Sequence, residues 1–133
     1  MVNGTNGLQL AGLVFMPQRE TDARAELHAW ESAIADLDQA LADLAGARAM
    51  IDAESAMLDR LEASKVLSIE GPNAEARKAR LTLELADDAR YQSHLVSLRQ
   101  ARERLADADR RVAVAKERCR LLRAALAVQE RVA

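Results

Sequence analysis

The sequence is poor in the residues that usually fill a globular core. Its 133 residues include one Trp, one Tyr and one Phe, although half of the chain is hydrophobic. Ala and Leu supply most of the apolar side chains, and both are strong helix formers. We therefore expect an all-α protein whose apolar surface lies in narrow helical stripes.

Cysteine and long hydrophobic runs are also scarce. The chain has one cysteine, so no disulfide can form within it, and nothing points to secretion. The most apolar stretch, residues 8–16, is shorter than the roughly 20 residues that cross a bilayer. No positive cluster precedes it, so it does not resemble a secretory signal. We expect a cytoplasmic protein with no membrane segment.

Strong helix breakers occur at one internal place, Gly71-Pro72. We predict a flexible, apolar N-terminal segment over residues 1–19 and an antiparallel two-helix coiled-coil hairpin over residues 20–133. The first arm covers about 21–67 with Thr21 as its N-cap, and the turn covers 68–73. A short helix over 74–86, capped by Asn73, precedes a long arm over about 89–128. The alternative to a break at Asp87-Asp88 is one continuous helix with a stutter.

Apolar residues recur with alternating steps of three and four in both arms, which is typical of a helix-packing seam. Alanines lie between the larger residues of the second arm, which favours close approach of the helices. The pattern weakens near Gly46, where we predict a phase shift. Gly46 is then either a tolerated weak spot, a hinge or a close approach of another backbone. The predicted seam comprises Leu27, Trp30, Ile34, Leu37, Leu41, Leu44, Leu98, Leu105, Val112, Cys119, Leu122 and Leu126.

Charge is divided between the arms. Residues 20–67 contain 11 acidic and 4 basic side chains, whereas residues 73–133 contain 9 acidic and 14 basic. This division favours antiparallel pairing of the two arms within one chain. A reversal near residue 70 places Gly46 opposite His94. Because a single hairpin buries little apolar surface, we also expect a homo-oligomer, with further protein partners possible through its exposed apolar flanks.

The connector carries a resemblance. Residues 70–81 and 85–91 resemble small coiled-coil proteins of phages and prophages, which share a Gly-x-Asn-Ala-Glu-x-Arg connector followed by an acidic pair and a basic helix. Many of these proteins have a proline just after the acidic pair, where this chain has Ala89. The resemblance implies a helical protein with no established activity, and some members lie among recombination or replication genes.

No motif for catalysis or metal binding is present. The usual soft or borderline ligands are His28, His94 and Cys119, and no two of them have a ligand-like spacing. There is no phosphate-binding loop and no nucleophile elbow, and a helical hairpin is expected to lack a substrate-sized pocket. We therefore predict a non-enzymatic protein with no cofactor and no metal.

Two interpretations of function remain. The first is a self-associating scaffold or adaptor of phage origin, with an assembly segment formed by Leu8, Leu10, Leu13, Val14 and Phe15. The alternative is a nucleic-acid-binding accessory factor of phage recombination or replication that uses the basic second arm. The same basic residues are also suited to pairing with the acidic arm. The possible nucleic-acid contacts are Arg99, Arg102, Arg110, Arg111, Lys116, Arg120 and Arg123.

Overall fold

The computed structural model describes the backbone of residues 2–132 and the side chains of residues 22–131. Helix α1 spans Val2–Ser68, α2 spans Ala74–Asp87 and α3 spans Ala89–Val132. The described backbone contains no strand, so the prediction of an all-α protein is confirmed. Packing is mainly between α1 and α3, as in a helical hairpin.

The chain divides into two units, and each contains a stretch of α1 and a stretch of α3. The connector unit comprises Ala40–Arg111, and the terminal unit comprises the residues up to Gln39 together with those from Val112 onward. Within the connector unit, Asp43 pairs with Arg111 and Lys65 with Asp88. Residue numbers therefore rise along α1 as they fall along α3, and the two helices are antiparallel there.

Alanines form much of the seam between the helices. In the connector unit, the buried residues of α1 are Ala40, Leu44, Ala47 and Leu58, those of α3 are Leu98, Ala101 and Ala108, and α2 adds Leu85. In the terminal unit, Ala33, Val112 and Ala115 are buried, while Trp30, Leu37, Cys119, Leu122 and Leu126 are half-buried. Because a methyl group projects little from a helix, alanines allow the two backbones to approach closely.

The first-arm seam differs from the prediction. Leu27, Ile34 and Leu41 are 49%, 36% and 41% exposed, whereas Ala33 and Ala40, one position earlier, are buried. The choice of the larger residues was therefore wrong at these positions. A close-packed interface selects side chains that fit between two backbones, and there alanine is preferred to leucine.

The predicted phase shift at Gly46 is also absent. Beyond Leu44 the seam continues through Ala47, half-buried Ile51 and buried Leu58 with unchanged spacing, and α1 remains helical throughout. A Cβ atom added to Gly46 would meet nothing within 4 Å. Gly46 is therefore not required by a close approach of another backbone among the described residues.

Helix α1 begins earlier than predicted. The sequence indicated a start near Thr21 after a non-helical segment, but α1 extends from Val2, so Thr21 is an internal residue and not an N-cap. Leu, Ala, Gln and Met, which make up most of residues 8–16, are good helix formers and are compatible with this extension. The side chains of the predicted assembly segment lie outside the described residues.

The connector between α1 and α2 is held by local contacts. The Oδ1 atom of Asn73 accepts a hydrogen bond of 2.8 Å from the amide of Ala76, which caps α2. A Cβ atom at Gly71 would lie 2.9 Å from the Cγ atom of Arg77. Glycine is therefore suited to this position because the connector passes close to the first turn of α2.

The register between the helices differs from the prediction, although the non-helical residues 69–73 lie within the predicted turn over 68–73. Ile69 lines a small cleft with Arg77 and Leu81, so the connector runs beside α2. An extended residue advances the chain by up to about 3.3 Å, compared with 1.5 Å for a residue in a helix. A few connector residues therefore span the same length as a larger number of residues in the neighbouring helix. As a result His94 contacts Glu54 and does not lie opposite Gly46.

Asp88 separates α2 from α3 and caps both. Its amide donates to the carbonyl of Leu85, and its Oδ1 atom accepts from the amides of Arg90 and Tyr91 at 2.9 and 3.2 Å. Its Oδ2 atom lies 3.5 Å from Nζ of Lys65. The hydrogen bond from the Tyr91 amide is the main reason that the pKa of Asp88 lies below its ordinary value of 3.8.

Candidate functional site

In each of the two units, basic side chains of α3 contact α1 beside the seam. In the connector unit, Nη2 of Arg111 lies 2.8 Å from Oδ2 of Asp43, and Nη1 of Arg104 lies 3.8 Å from the sulfur of Met50. In the terminal unit, Nη1 of Arg118 lies 3.2 Å from Oδ2 of Asp36. The hydrogen bond to Asp43 raises the pKa of Arg111 above its ordinary value. We call this side of the seam the paired edge.

The predicted nucleic-acid contacts separate into two groups. Arg110, Arg111 and Arg120 have acidic partners, with Arg110 near Asp107 and Arg120 at 2.6 Å from Glu117. Within the part of the chain whose side chains are described, no acidic partner is assigned to the exposed side chains of Arg99, Arg102, Lys116 and Arg123. The sequence did not single out Arg104 and Arg118, because their role depends on the register of α3 against α1.

A second group of basic residues lies at the other edge of the seam in the connector unit. Arg48 follows buried Ala47 in α1, and Arg102 follows buried Ala101 in α3. Positions that follow a seam residue in this way lie on the same side of an antiparallel helix pair. Arg99 is one turn before Arg102 and is also exposed. By the same rule, exposed Asp52 and Asp109, which follow Ile51 and Ala108, lie on this side as well. We call Arg48, Arg99 and Arg102 the open basic edge.

Helix α3 also has an apolar face away from the seam in the terminal unit. Val114, Leu121 and Val128 are spaced by seven residues and are 62%, 54% and 58% exposed. Exposed Ala125 lies between the last two at the same helical periodicity. Because each residue advances about 100° around a helix, this face lies roughly a quarter turn or more from the seam. We call these four residues the outer stripe.

The described residues contain no metal cluster. No group of three or more His, Cys, Asp or Glu side chains is arranged to hold an ion within residues 22–131. The Nδ1–H group of His94 instead donates a hydrogen bond of 2.5 Å to Oε2 of Glu54, and both side chains are partly buried. Cys119 is a half-buried free thiol in the seam. Among the described helices, none is long and apolar enough to cross a membrane.

The expectation that a hairpin offers no substrate-sized concavity is wrong. A groove of about 460 Å³ in the connector unit is lined by Gly46, Met50, Arg104, Asp107 and other residues, which is within the size range of small-molecule sites. Asp43 and Asp107 are both paired with Arg111, whereas Arg104 contacts the sulfur of Met50. The groove therefore presents one cation, Arg104, to which no acidic partner is assigned among the described side chains.

Comparison of the chain with known protein families, with curated proteins and with solved structures finds no match.

Proposed function

We propose that the protein is a non-enzymatic, self-associating helical hairpin that acts as a scaffold or adaptor. The resemblance of its connector supports a phage origin. The observation that carries the proposal is the outer stripe, where Val114, Leu121 and Val128 are each more than half exposed. Single exposed apolar residues are common on protein surfaces, but a repeat of seven along one helix face is the pattern of a helix-packing surface.

The energetics also favour association. Of the 11 buried apolar residues among the described side chains, six are alanines. Each alanine methyl contributes about 0.8 kcal/mol on burial, compared with about 1.5–3 kcal/mol for a larger aliphatic side chain. The seam within one chain is therefore a modest core. Covering the outer stripe with another helix would bury larger aliphatic side chains, each of which contributes more free energy than an alanine methyl.

The test is to measure association of the full chain by sedimentation and light scattering at micromolar concentrations. Leu121→Asp places a charge in the outer stripe and is expected to weaken association by more than tenfold, because the carboxylate would be desolvated in the interface. Leu83→Asp is the matched control, since Leu83 is a 68% exposed leucine on α2. A wild-type chain that is monomeric at about 100 micromolar would refute the proposal, because its dissociation constant would then be weaker than that concentration.

A second candidate function is backbone-directed binding of nucleic acid, favoured by the open basic edge. Arginines donate well to phosphate, and those of this edge have no assigned acidic partner among the described residues. Without aromatic side chains to stack on bases, such binding should be independent of sequence and weaken steeply with salt.

Fluorescence anisotropy with single-stranded and duplex DNA at two salt concentrations tests this second function. Arg99→Glu with Arg102→Glu should abolish binding. The control, Arg110→Glu with Arg120→Glu, makes the same change in charge at arginines that already have acidic partners. Absence of binding at low salt, or equal loss in both double variants, would contradict a role for the open basic edge.

A further inference from the structure

We infer that the outer stripe binds the same stripe of a second copy in antiparallel orientation, with the two-fold axis beside Ala124. This inference rests on the proposed self-association and adds its partner surface and register. The stripe is flanked by a line of residues spaced by seven, Glu117, Ala124 and Arg131. All three are exposed in the structure, and the carboxylate of Glu117 also accepts hydrogen bonds from the guanidinium of Arg120 in its own helix.

The charges of this flanking line are complementary only when the copies are antiparallel. Glu117 and Arg131 lie seven residues on either side of Ala124. A two-fold axis at Ala124 therefore brings Glu117 of each copy beside Arg131 of the other, twice in one dimer. A parallel pairing in register would place the two Glu117 side chains of the dimer beside each other and the two Arg131 side chains beside each other. Such contacts between like charges are unfavourable.

The outer stripe lies in the same register. With the axis at Ala124, Leu121 is three residues before the axis and lies level with the position three residues after it in the other copy, between Ala125 and Val128 of that stripe.

Charge exchange tests this register. Glu117→Arg and Arg131→Glu, each alone, are expected to weaken self-association by about tenfold, because two attractive contacts per dimer become repulsive. An equimolar mixture of the two variants should recover wild-type affinity, since every facing pair is again opposite in charge. The double variant should recover it as well. Glu103→Arg, an exposed glutamate on the same helix two heptads earlier, is the control and should leave association unchanged.

The outcomes separate the two proposals. If the wild type associates but neither the mixture nor the double variant recovers affinity, the antiparallel register is wrong while self-association stands. If single variants associate like the wild type, the Glu117 and Arg131 contacts do not exist. If Leu121→Asp has no effect on an associating wild type, a different surface is used. Circular dichroism of each variant establishes that a loss of association is not a loss of helix.

Discussion

Truncation of two leucines on one helix distinguishes the observed seam from the one that hydrophobicity alone predicts. Leu41 and Leu44 are three residues apart in α1, and the sequence pattern placed both in the seam. In the structure Leu44 is 8% exposed and Leu41 is 41% exposed. Changing each leucine to alanine removes the same three carbon atoms, so a difference in stability between the variants reports their environments.

The expected magnitudes follow from burial. Leu44→Ala should lower the free energy of unfolding by about 2–5 kcal/mol, because transfer free energy is lost and a cavity remains between the helices. Leu41→Ala should lower it by about 1 kcal/mol, because much of the side chain is already in water, no enclosed cavity forms, and alanine is the better helix former. Ala40→Leu should lower the free energy of unfolding by about 1–3 kcal/mol although it adds apolar surface. Ala40 is 1% exposed, so the added atoms would overpack the seam.

Urea unfolding followed by circular dichroism gives these free energies, provided that all variants are compared at one protein concentration, because association stabilises the folded chain. Ala42→Leu, at an exposed position of the same helix, is the control for adding a leucine. Equal losses for Leu41→Ala and Leu44→Ala, or a gain in stability for Ala40→Leu, would refute the alanine seam.

Three further predictions concern capping and the polar contact in the seam. Asn73→Ala should cost about 1 kcal/mol in urea unfolding, because an amide in the first turn of α2 loses its acceptor. The lowered pKa of Asp88 means that its carboxylate stabilises the fold above the ordinary pKa of 3.8, and that this stabilisation is lost as the pH falls below that value. Asp88→Asn should therefore flatten the acid limb of a profile of unfolding free energy against pH. The control Asp87→Asn should leave the acid limb as in the wild type. Replacing Glu54 and His94 together by leucine should maintain stability or raise it by about 1 kcal/mol, whereas His94→Leu alone should lower stability by leaving the partly buried carboxylate of Glu54 unpaired. If thermal unfolding shows the double variant to be less stable than His94→Leu, the contact between Glu54 and His94 is contradicted.

Much of α3 could be predicted from its sequence. Its seam residues Leu98 and Val112 are buried as the periodicity indicates, and the alanines between the larger residues are buried with them. In α3 one stripe of apolar residues is continuous over most of the helix. The position of its seam therefore has few alternatives in the sequence. The outer stripe is shorter than the seam, so its periodicity is a weaker signal in the sequence.

The seam of α1 was ambiguous. Trp30, Leu37 and Leu44 belong to two possible stripes, one completed by leucine and isoleucine and the other by alanine one position earlier. Hydrophobicity favours the first stripe, and the structure uses the second. The choice depends on how closely α3 approaches, which is a property of the pair of helices and is absent from the sequence of either one.

The sequence alone determined the helical class and the cap at Asn73, because propensity and capping act within about one turn of chain. It left two possibilities after Asp87, a break or a continuous helix, and the structure has the break. The tertiary structure decided which face of α1 is covered, which arginines meet acidic partners and which residues face one another. These properties depend on the spacing of two helices and on the path of the connector beside α2, and a shift of a few residues there changes every pairing that follows.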